Sequence, residues 1–282
     1  MNKEFKYDSD EFEKQAQRFI IPLYLKDELG NYEYSSTGTY IEYNSLFYLV
    51  CAAHAISDKE SLEDLHWLSA SGEMIGVLSE SFYYKVFRED DIIIVDYFNK
   101  KNNNRNYFNL NYQLNPAEIS SYFFDGFYWI GFPNSWNKLK KISKTKSSEM
   151  LKQSNFYENE VSTYMKSTKY FMMSAMSVKT DSYDYLKGLI FTKNLELKYK
   201  GRISDAPSLK GMSGGAFFTT FIANSVHHKF DGVEKSFIFL GIGLERNKDN
   251  IVKGVSKKRL IEIFNEYLSE HPLEFKIVDS NQ

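Results

Sequence analysis

Gly211-Met212-Ser213-Gly214-Gly215 is the segment that best indicates the fold and chemistry of this chain. It sets a serine among glycines, and a glycine has no Cβ to keep a substrate carbonyl away from the backbone. A serine hydroxyl is a weak nucleophile unless a histidine removes its proton, and a carboxylate must hold that histidine in the correct tautomer. The segment therefore predicts a partner histidine and a partner acid elsewhere in the chain.

Both partners occur upstream, at the boundaries of apolar runs. His54 ends one run and Asp91 opens the next, with Asp90 and Asp96 as competing carboxylates. Taken alone, a histidine in this setting fits a satisfied core residue, and an aspartate fits a turn residue at the start of a strand. The order His54, Asp91, Ser213 favours one shared catalytic role over three separate structural ones.

These residues and their contexts resemble the chymotrypsin-like (trypsin-like) serine peptidase family, in its bacterial, disulfide-free type. The matching segments are Ala-Ala-His at 52–54, the acid and apolar run from Asp91, and Gly-x-Ser-Gly-Gly at 211–215. Weaker matches are Thr37-Gly38-Thr39-Tyr40 and Ile130-Gly131-Phe132-Pro133. The resemblance implies an all-β fold, a double β-barrel of chymotrypsin-like type with a C-terminal α-helix.

The expected division of the chain gives one barrel to each half. Residues 1–116 would form the N-terminal β-barrel carrying His54 and Asp91, because about six or seven strand-like segments are enough to close one. Residues 117–282 would form the C-terminal β-barrel carrying Ser213. The strand-like segments are residues 18–26, 32–43, 46–52, 65–68, 74–78, 82–87, 92–98, 127–132, 171–178, 188–192, 195–200, 216–222 and 237–244.

Three further stretches break the strand pattern. Residues 100–115 are rich in Asn and Lys and are interpreted as a surface linker between the halves. Residues 139–168 are polar and are interpreted as an inserted loop or lid. Apolar residues at helical spacing over about 256–270 predict a C-terminal helix, with Ser256 as its N-cap.

The composition argues against several kinds of partner. The net charge of −2 lacks the basic excess of a nucleic-acid-binding surface. No apolar run approaches the roughly 18 residues that a membrane span requires, and residues 1–13 are densely charged rather than like a signal peptide. We expect a cytoplasmic protein with no nucleic-acid and no membrane partner.

The cysteine and histidine content sets further limits. Cys51 is the single cysteine, so no internal disulfide forms, which fits a reducing compartment. Its place in an apolar run favours a small core residue over a reactive thiol. The remaining histidines show no metal-ligand spacing, so neither a metal nor a cofactor is expected.

The resemblance assigns roles to the site residues. Ser213 would attack the scissile carbonyl of a protein or peptide substrate, His54 would carry its proton to the leaving amine, and Asp91 would orient His54. The backbone N–H groups of Gly211 and Ser213 would form the oxyanion hole. The expected activity is that of a serine endopeptidase acting through an acyl-enzyme intermediate.

The substrate pocket is expected from residues before the serine and from the strand near 241–246. Its candidates are Pro207, Ser208, Gly243 and Glu245. Pro207 stands where trypsins place the acid that selects Lys or Arg, so an uncharged pocket without basic preference is expected. Glu245 is an alternative acid for that role, although an exposed loop carboxylate is the plainer interpretation.

Control of the activity is a separate question. Family members activated by trimming bind their new terminal amine to an Asp before the serine, and Met212 cannot make that ion pair. We therefore expect activity without N-terminal cleavage, with the site loops ordered by substrate or by a regulatory protein partner. Two alternatives remain: a catalytically silent barrel that binds a partner protein, and an esterase-like hydrolase using the same triad.

Overall fold

A computed structural model of the chain describes residues 15–56, 61–68, 74–79, 81, 83–96, 105–112, 126–137, 156–158, 163–165, 168–180, 182–190, 197–199, 202–204, 207–220 and 237–270. Strands dominate this part of the chain and form two main sheets, one from each half. A helix follows the last strand. The protein is therefore an all-β barrel fold with a C-terminal helix.

The first half forms one curled sheet, a half-barrel. Its strands are β1 (Ile20–Lys26), β2 (Tyr32–Tyr43), β3 (Leu46–Ala52), β4 (Leu65–Leu68), β5 (Met74–Gly76), β6 (Tyr84–Phe87), β7 (Ile92–Asp96) and β8 (Phe108–Asn109). They pair in the order β5-β4-β1-β2-β3-β7-β6, and β8 runs parallel to β2. The β2–β3 hairpin turns at Asn44 and Ser45, both at positive φ, as tight hairpin turns require. Short 3₁₀ helices occupy Ala53–Ala55 and Leu62–Asp64.

The second half contains a closed barrel of six strands. Its elements are β9 (Gly126–Gly131), α1 (Asn134–Asn137), β10 (Phe156–Glu158), β11 (Thr163–Met165), β12 (Phe171–Val178), β13 (Tyr185–Leu189), β14 (Leu197–Tyr199), β15 (Arg202–Ser204), β16 (Gly215–Thr220), β17 (Phe237–Arg246), β18 (Ile251–Ser256) and α2 (Lys257–Glu270). The barrel closes in the order β12-β13-β18-β17-β16-β9. Pairs β10–β11 and β14–β15 stand apart as two-stranded sheets.

The core is built from both halves together. Successive residues of β1 and β3 point to opposite faces, so Ile20 and Val50 join one apolar cluster while Ile21 and Cys51 join another. The cluster with Ile20 also takes in side chains of the second half. Phe108 shows the continuity, with its ring 4.1 Å from that of Phe19 and 5.0 Å from that of Phe239.

For residues 105–112, the described part of the stretch 100–115, that contact corrects the interpretation as a surface linker. Tyr107, Phe108 and Leu110 are buried, and β8 pairs with β2. Although the stretch is rich in Asn, its few apolar side chains pack between the halves. Most of the predicted insertion at 139–168 lies outside the described residues, which include the paired strands β10 and β11 there.

The C-terminal helix α2 leaves the second barrel and packs on the first half. The ring of Phe264 in this helix lies 4.8 Å from the ring of Tyr48. The hydroxyl of Tyr267, also in the helix, donates to Asp96 at 2.6 Å. The Ser256 hydroxyl accepts the N–H of Arg259 at 3.1 Å, which confirms Ser256 as the N-cap. No helix in the described part of the chain has the length and apolar character needed to cross a membrane.

Candidate active site

His54 and Asp91 meet at one end of the first sheet. His54 lies on the 3₁₀ turn after β3, and Asp91 lies in the turn between β6 and β7. The Asp91 carboxylate contacts His54 twice, at 2.6 Å to Nδ1 and at 2.8 Å to the backbone N–H. The Asp91 carbonyl also accepts the N–H of Ala53 at 2.9 Å. These bonds hold Asp91 at a φ of 56°, a conformation uncommon for residues other than glycine.

The two competing carboxylates have other partners. Asp90 is held by the Arg259 guanidinium through two bonds of 2.8 Å. Asp96 accepts the hydroxyl of Tyr267 and the N–H of Tyr83. Asp91 is therefore the acid that pairs with His54.

This pairing sets the protonation of the imidazole. A carboxylate only accepts, so Nδ1 carries the proton and Nε2 is left as an acceptor when the ring is neutral. The hydrogen bond to Asp91 raises the pKa of His54, partial burial works against it, and the charges of Asp91 and Glu245 raise it further. His54 is thus a base with increased proton affinity. Its side chain is half exposed.

Ser213 lies on a tight turn that the first half holds in place. Gly211 and Gly214 have φ values of +93° and +83°, where side chains are strained. A Cβ at Gly214 would also lie 2.0 Å from the carbonyl oxygen of Thr37, and one at Gly211 would lie 2.4 Å from Cε1 of Tyr34. Glycine is required at both positions because β2 packs directly against the turn.

The carbonyl groups of this turn are all engaged. Lys210 O accepts the N–H of Asn134 at 2.7 Å, Met212 O that of Gly215 at 2.9 Å, and Ser213 O that of Thr37 at 2.9 Å. Gly211 O accepts from the hydroxyls of Tyr34 at 2.7 Å and Thr37 at 3.0 Å. Gly214 O accepts from the Thr39 hydroxyl at 2.7 Å.

The N–H groups of the turn divide into two sets. Those of Met212, Gly214 and Gly215 are bonded to backbone carbonyls. Those of Gly211 and Ser213 make no hydrogen bond within the described part of the chain. In a trans peptide the N–H points opposite to the preceding C=O, so the bonds to Lys210 O and Met212 O fix the direction of these two free donors.

The nucleophile candidate, Ser213, is not hydrogen-bonded to His54. The Ser213 hydroxyl donates to Leu244 O at 2.5 Å, and no hydrogen bond joins it to His54, both residues being among those described. Both side chains line one cleft of about 550 Å³. The Ser213 hydroxyl is therefore bonded to a backbone carbonyl and not to the imidazole.

The same cleft includes half of the predicted pocket residues. Ser208 and Glu245 line it, whereas Pro207 and Gly243 do not. Gly243 instead accepts the N–H of Gly214 through its carbonyl at 2.8 Å. The remaining lining residues are Trp129, Leu209, Lys210, Leu244, Arg246, Asn247 and Lys248. Three of these residues are cations, Lys210, Arg246 and Lys248, and the uncharged pocket expected from the sequence stays a prediction.

Two other sequence expectations bear on the site. Met212 is fully buried in the core of the second barrel beside Gly131, where no ion pair forms. Burial raises the pKa of the Cys51 thiol to about 12, which excludes a reactive thiolate at neutral pH. In the residues that the structure covers, no group of three or more His, Cys, Asp or Glu is arranged to hold a metal ion.

Sequence reasoning gave Thr37 and Thr39 only as part of a weaker match and did not name Tyr34. Their contacts with the turn, more than 170 positions away, were not predicted. The chain matches no protein-family model and no curated protein. The support for a function lies in the geometry of this cleft.

Proposed function

We propose that the chain is a serine endopeptidase of the chymotrypsin-like type, acting on protein or peptide substrates through Ser213, His54 and Asp91. The observation that carries this proposal is the pair of free N–H donors, at Gly211 and Ser213, on the turn that bears the serine. A binding module has no need for two oriented donors next to a hydroxyl and an Asp-paired histidine. Acyl transfer needs all of them.

The reaction begins when a substrate carbonyl enters the cleft. Ser213 turns from Leu244 O toward Nε2 of His54, which takes the proton as Oγ attacks the carbonyl carbon. The resulting oxyanion accepts from the two free N–H groups, and Asp91 stabilises the imidazolium. Collapse breaks the C–N bond, with the imidazolium proton going to the leaving amine, and water then hydrolyses the acyl-enzyme by the same steps.

The wider proposal includes the fold and the location of the enzyme. The curled first sheet and the closed second barrel support a double β-barrel, with the cleft between them and α2 crossing from one to the other. The buried, unreactive Cys51 supports a cytoplasmic setting in which stability does not depend on disulfides. The proposed partners are the protein or peptide substrate and a regulatory protein.

A second candidate is a catalytically silent barrel that binds a partner protein. The observation in its favour is the hydrogen bond from Ser213 to Leu244 O, which keeps the hydroxyl off His54. In this version the cleft still binds peptide but never forms an acyl-enzyme. The two candidates differ in whether Ser213 reacts.

Labelling with a serine-directed peptidyl phosphonate, located by mass spectrometry, separates them. The intact chain is expected to be labelled at Ser213, and Ser213→Ala to lose both labelling and peptide hydrolysis, by about 10⁴- to 10⁶-fold in turnover. Ser269→Ala, an exposed serine at the end of α2, is the matched control and should behave as the parent. A parent that is never labelled, yet binds peptide, would establish the silent module instead.

A further inference from the structure

The turn that carries Asp91 is held by a residue from the other end of the chain. Asp90, the residue before Asp91, is buried, and its carboxylate accepts two hydrogen bonds of 2.8 Å from the Arg259 guanidinium. Arg259 lies in the first turn of α2, which follows the last strand of the second barrel. Two bonds between one guanidinium and one carboxylate fix its direction as well as its distance. The residue next to the catalytic acid is therefore anchored to a helix of the second half.

Asp91 depends on support from its surroundings. Its φ of 56° is uncommon for a residue other than glycine, and such a conformation persists only where surrounding contacts hold it. In this conformation its carboxylate contacts Nδ1 of His54 at 2.6 Å and the His54 backbone N–H at 2.8 Å. Arg88, in the same turn, donates to Ala53 O at 3.3 Å. A shift of the turn would therefore move the Asp91 carboxylate relative to the imidazole.

Helix α2 also contacts the β6–β7 hairpin at a distance from this turn. Lys85 of β6 forms ion pairs with Glu266 at 2.9 Å and with Glu270 at 2.7 Å, both in α2. Lys85 pairs with Ile94 inside the hairpin, whereas Asp90 adjoins the catalytic acid in the turn. The two contacts join the same helix to the same hairpin and differ in their nearness to the acid, so each serves as a comparison for the other.

We propose that Arg259 is a positioning residue of the active site, which holds the Asp90 carboxylate and thereby keeps Asp91 in the conformation that contacts His54. The inference rests on the proposed peptidase function and adds to that site a residue supplied by α2. Arginine suits this role because its planar guanidinium forms two bonds with one carboxylate, while lysine acts as a point charge. The packing of α2 on the first half thus completes a site whose acid and base both belong to that half.

The test compares the parent with Arg259→Met combined with Asp90→Asn, with Arg259→Lys, and with the control Lys85→Gln. The double variant removes both charges of the pair, so no unpaired charge remains in the turn to act on His54. Its kcat should fall about 10- to 100-fold, with KM changed by less than about twofold, because a misplaced catalytic group weakens the transition state more than substrate binding. Arg259→Lys should give a kcat between those of the parent and the double variant. Lys85→Gln loses the other ion pairs of α2 with the hairpin and should keep the parental kcat.

The second readout does not need activity. The hydrogen bond to Asp91 raises the pKa of His54, burial lowers it, and the charges of Asp91 and Glu245 raise it further. In the double variant a weaker hydrogen bond should lower the pKa of His54, as measured by NMR titration with the signal assigned through His54→Gln. The other charged residues that line the cleft with His54 are the same in all the variants compared: Lys210, Arg246 and Lys248.

Two results would overturn the positioning role and leave the peptidase proposal standing. One is a double variant with the parental kcat and the parental pKa of His54. The other is a loss of kcat in Lys85→Gln as large as that in the double variant, which would show general anchoring of the hairpin instead. A parent that is neither labelled at Ser213 nor active would overturn the peptidase proposal. The titration would then decide the positioning of Asp91 alone, with a lowered pKa of His54 supporting it and an unchanged one refuting it.

Discussion

Removing the Thr37 hydroxyl should loosen the catalytic turn, and the structure indicates by how much. The hydroxyl accepts the N–H of Phe132 at 2.9 Å and donates to Gly211 O at 3.0 Å, in a fully buried setting. Thr37→Val preserves the shape but leaves both backbone groups without that partner, at about 1–3 kcal/mol for each. The Tyr34 hydroxyl still lies 2.7 Å from Gly211 O, although it shares its single proton with Phe132 O at 2.6 Å. The Phe132 N–H is therefore the main group left unpaired, and we expect a loss of unfolding free energy of about 1–3 kcal/mol.

The catalytic consequence follows from the direction of the free N–H groups. The Gly211 carbonyl belongs to the peptide between the two peptides that carry the free N–H groups. Once it is held less firmly the turn can shift and move both donors, so kcat should fall about 10- to 100-fold with little change in KM. Urea denaturation measures the first effect and steady-state hydrolysis the second. Thr37→Ser keeps the hydroxyl and should restore kcat. A Thr37→Val protein with parental midpoint and parental kcat would refute the reasoning, because neither the bonds nor the turn would then depend on this side chain.

Three further predictions come from the same site. Because His54 must be neutral to act as base and its pKa lies above the ordinary 6.5, kcat/KM should rise with pH through a midpoint above 6.5, and Glu245→Gln should move that midpoint to lower pH by removing a charge that raises the pKa. Arg259→Met leaves the nearly buried Asp90 unpaired beside Asp91 and should cost about 3 kcal/mol in a urea titration, a value that a loss below about 1 kcal/mol would contradict. Deletion of residues 1–15 should give no large gain in activity, since Met212 is packed in the core and the turn is already formed; a large gain on trimming would restore a terminal-amine switch.

Much of the local structure was predictable because it depends on short-range pattern. The segments proposed for β2, β3, β4 and β12 agree with the observed strands to the residue, since aromatic and other apolar residues recur along each of them. The helix α2 follows from apolar residues at helical spacing.

The strands that the sequence pattern did not predict also have a physical explanation. The strand β18 was missed because Ile251–Ser256 is short and contains a lysine and a glycine. It becomes a strand by pairing with β13 and β17, which closes the barrel. The same is true of β8, whose few apolar residues gain their partners only from β2 and from rings of the second half.

The candidate site also combines features that depend on the sequence alone with features that depend on the tertiary structure. The sequence by itself determined which chemical groups are present: a serine among glycines, a histidine, a set of nearby acids, and a methionine before the serine that cannot form an ion pair. Only the tertiary structure decided which acid pairs with His54, where the Ser213 hydroxyl rests and which N–H groups of the turn stay free. Those outcomes depend on hydrogen bonds that join residues separated in the chain by 31, 37 or 177 positions. The pattern of neighbouring residues carries no information about contacts at such separations.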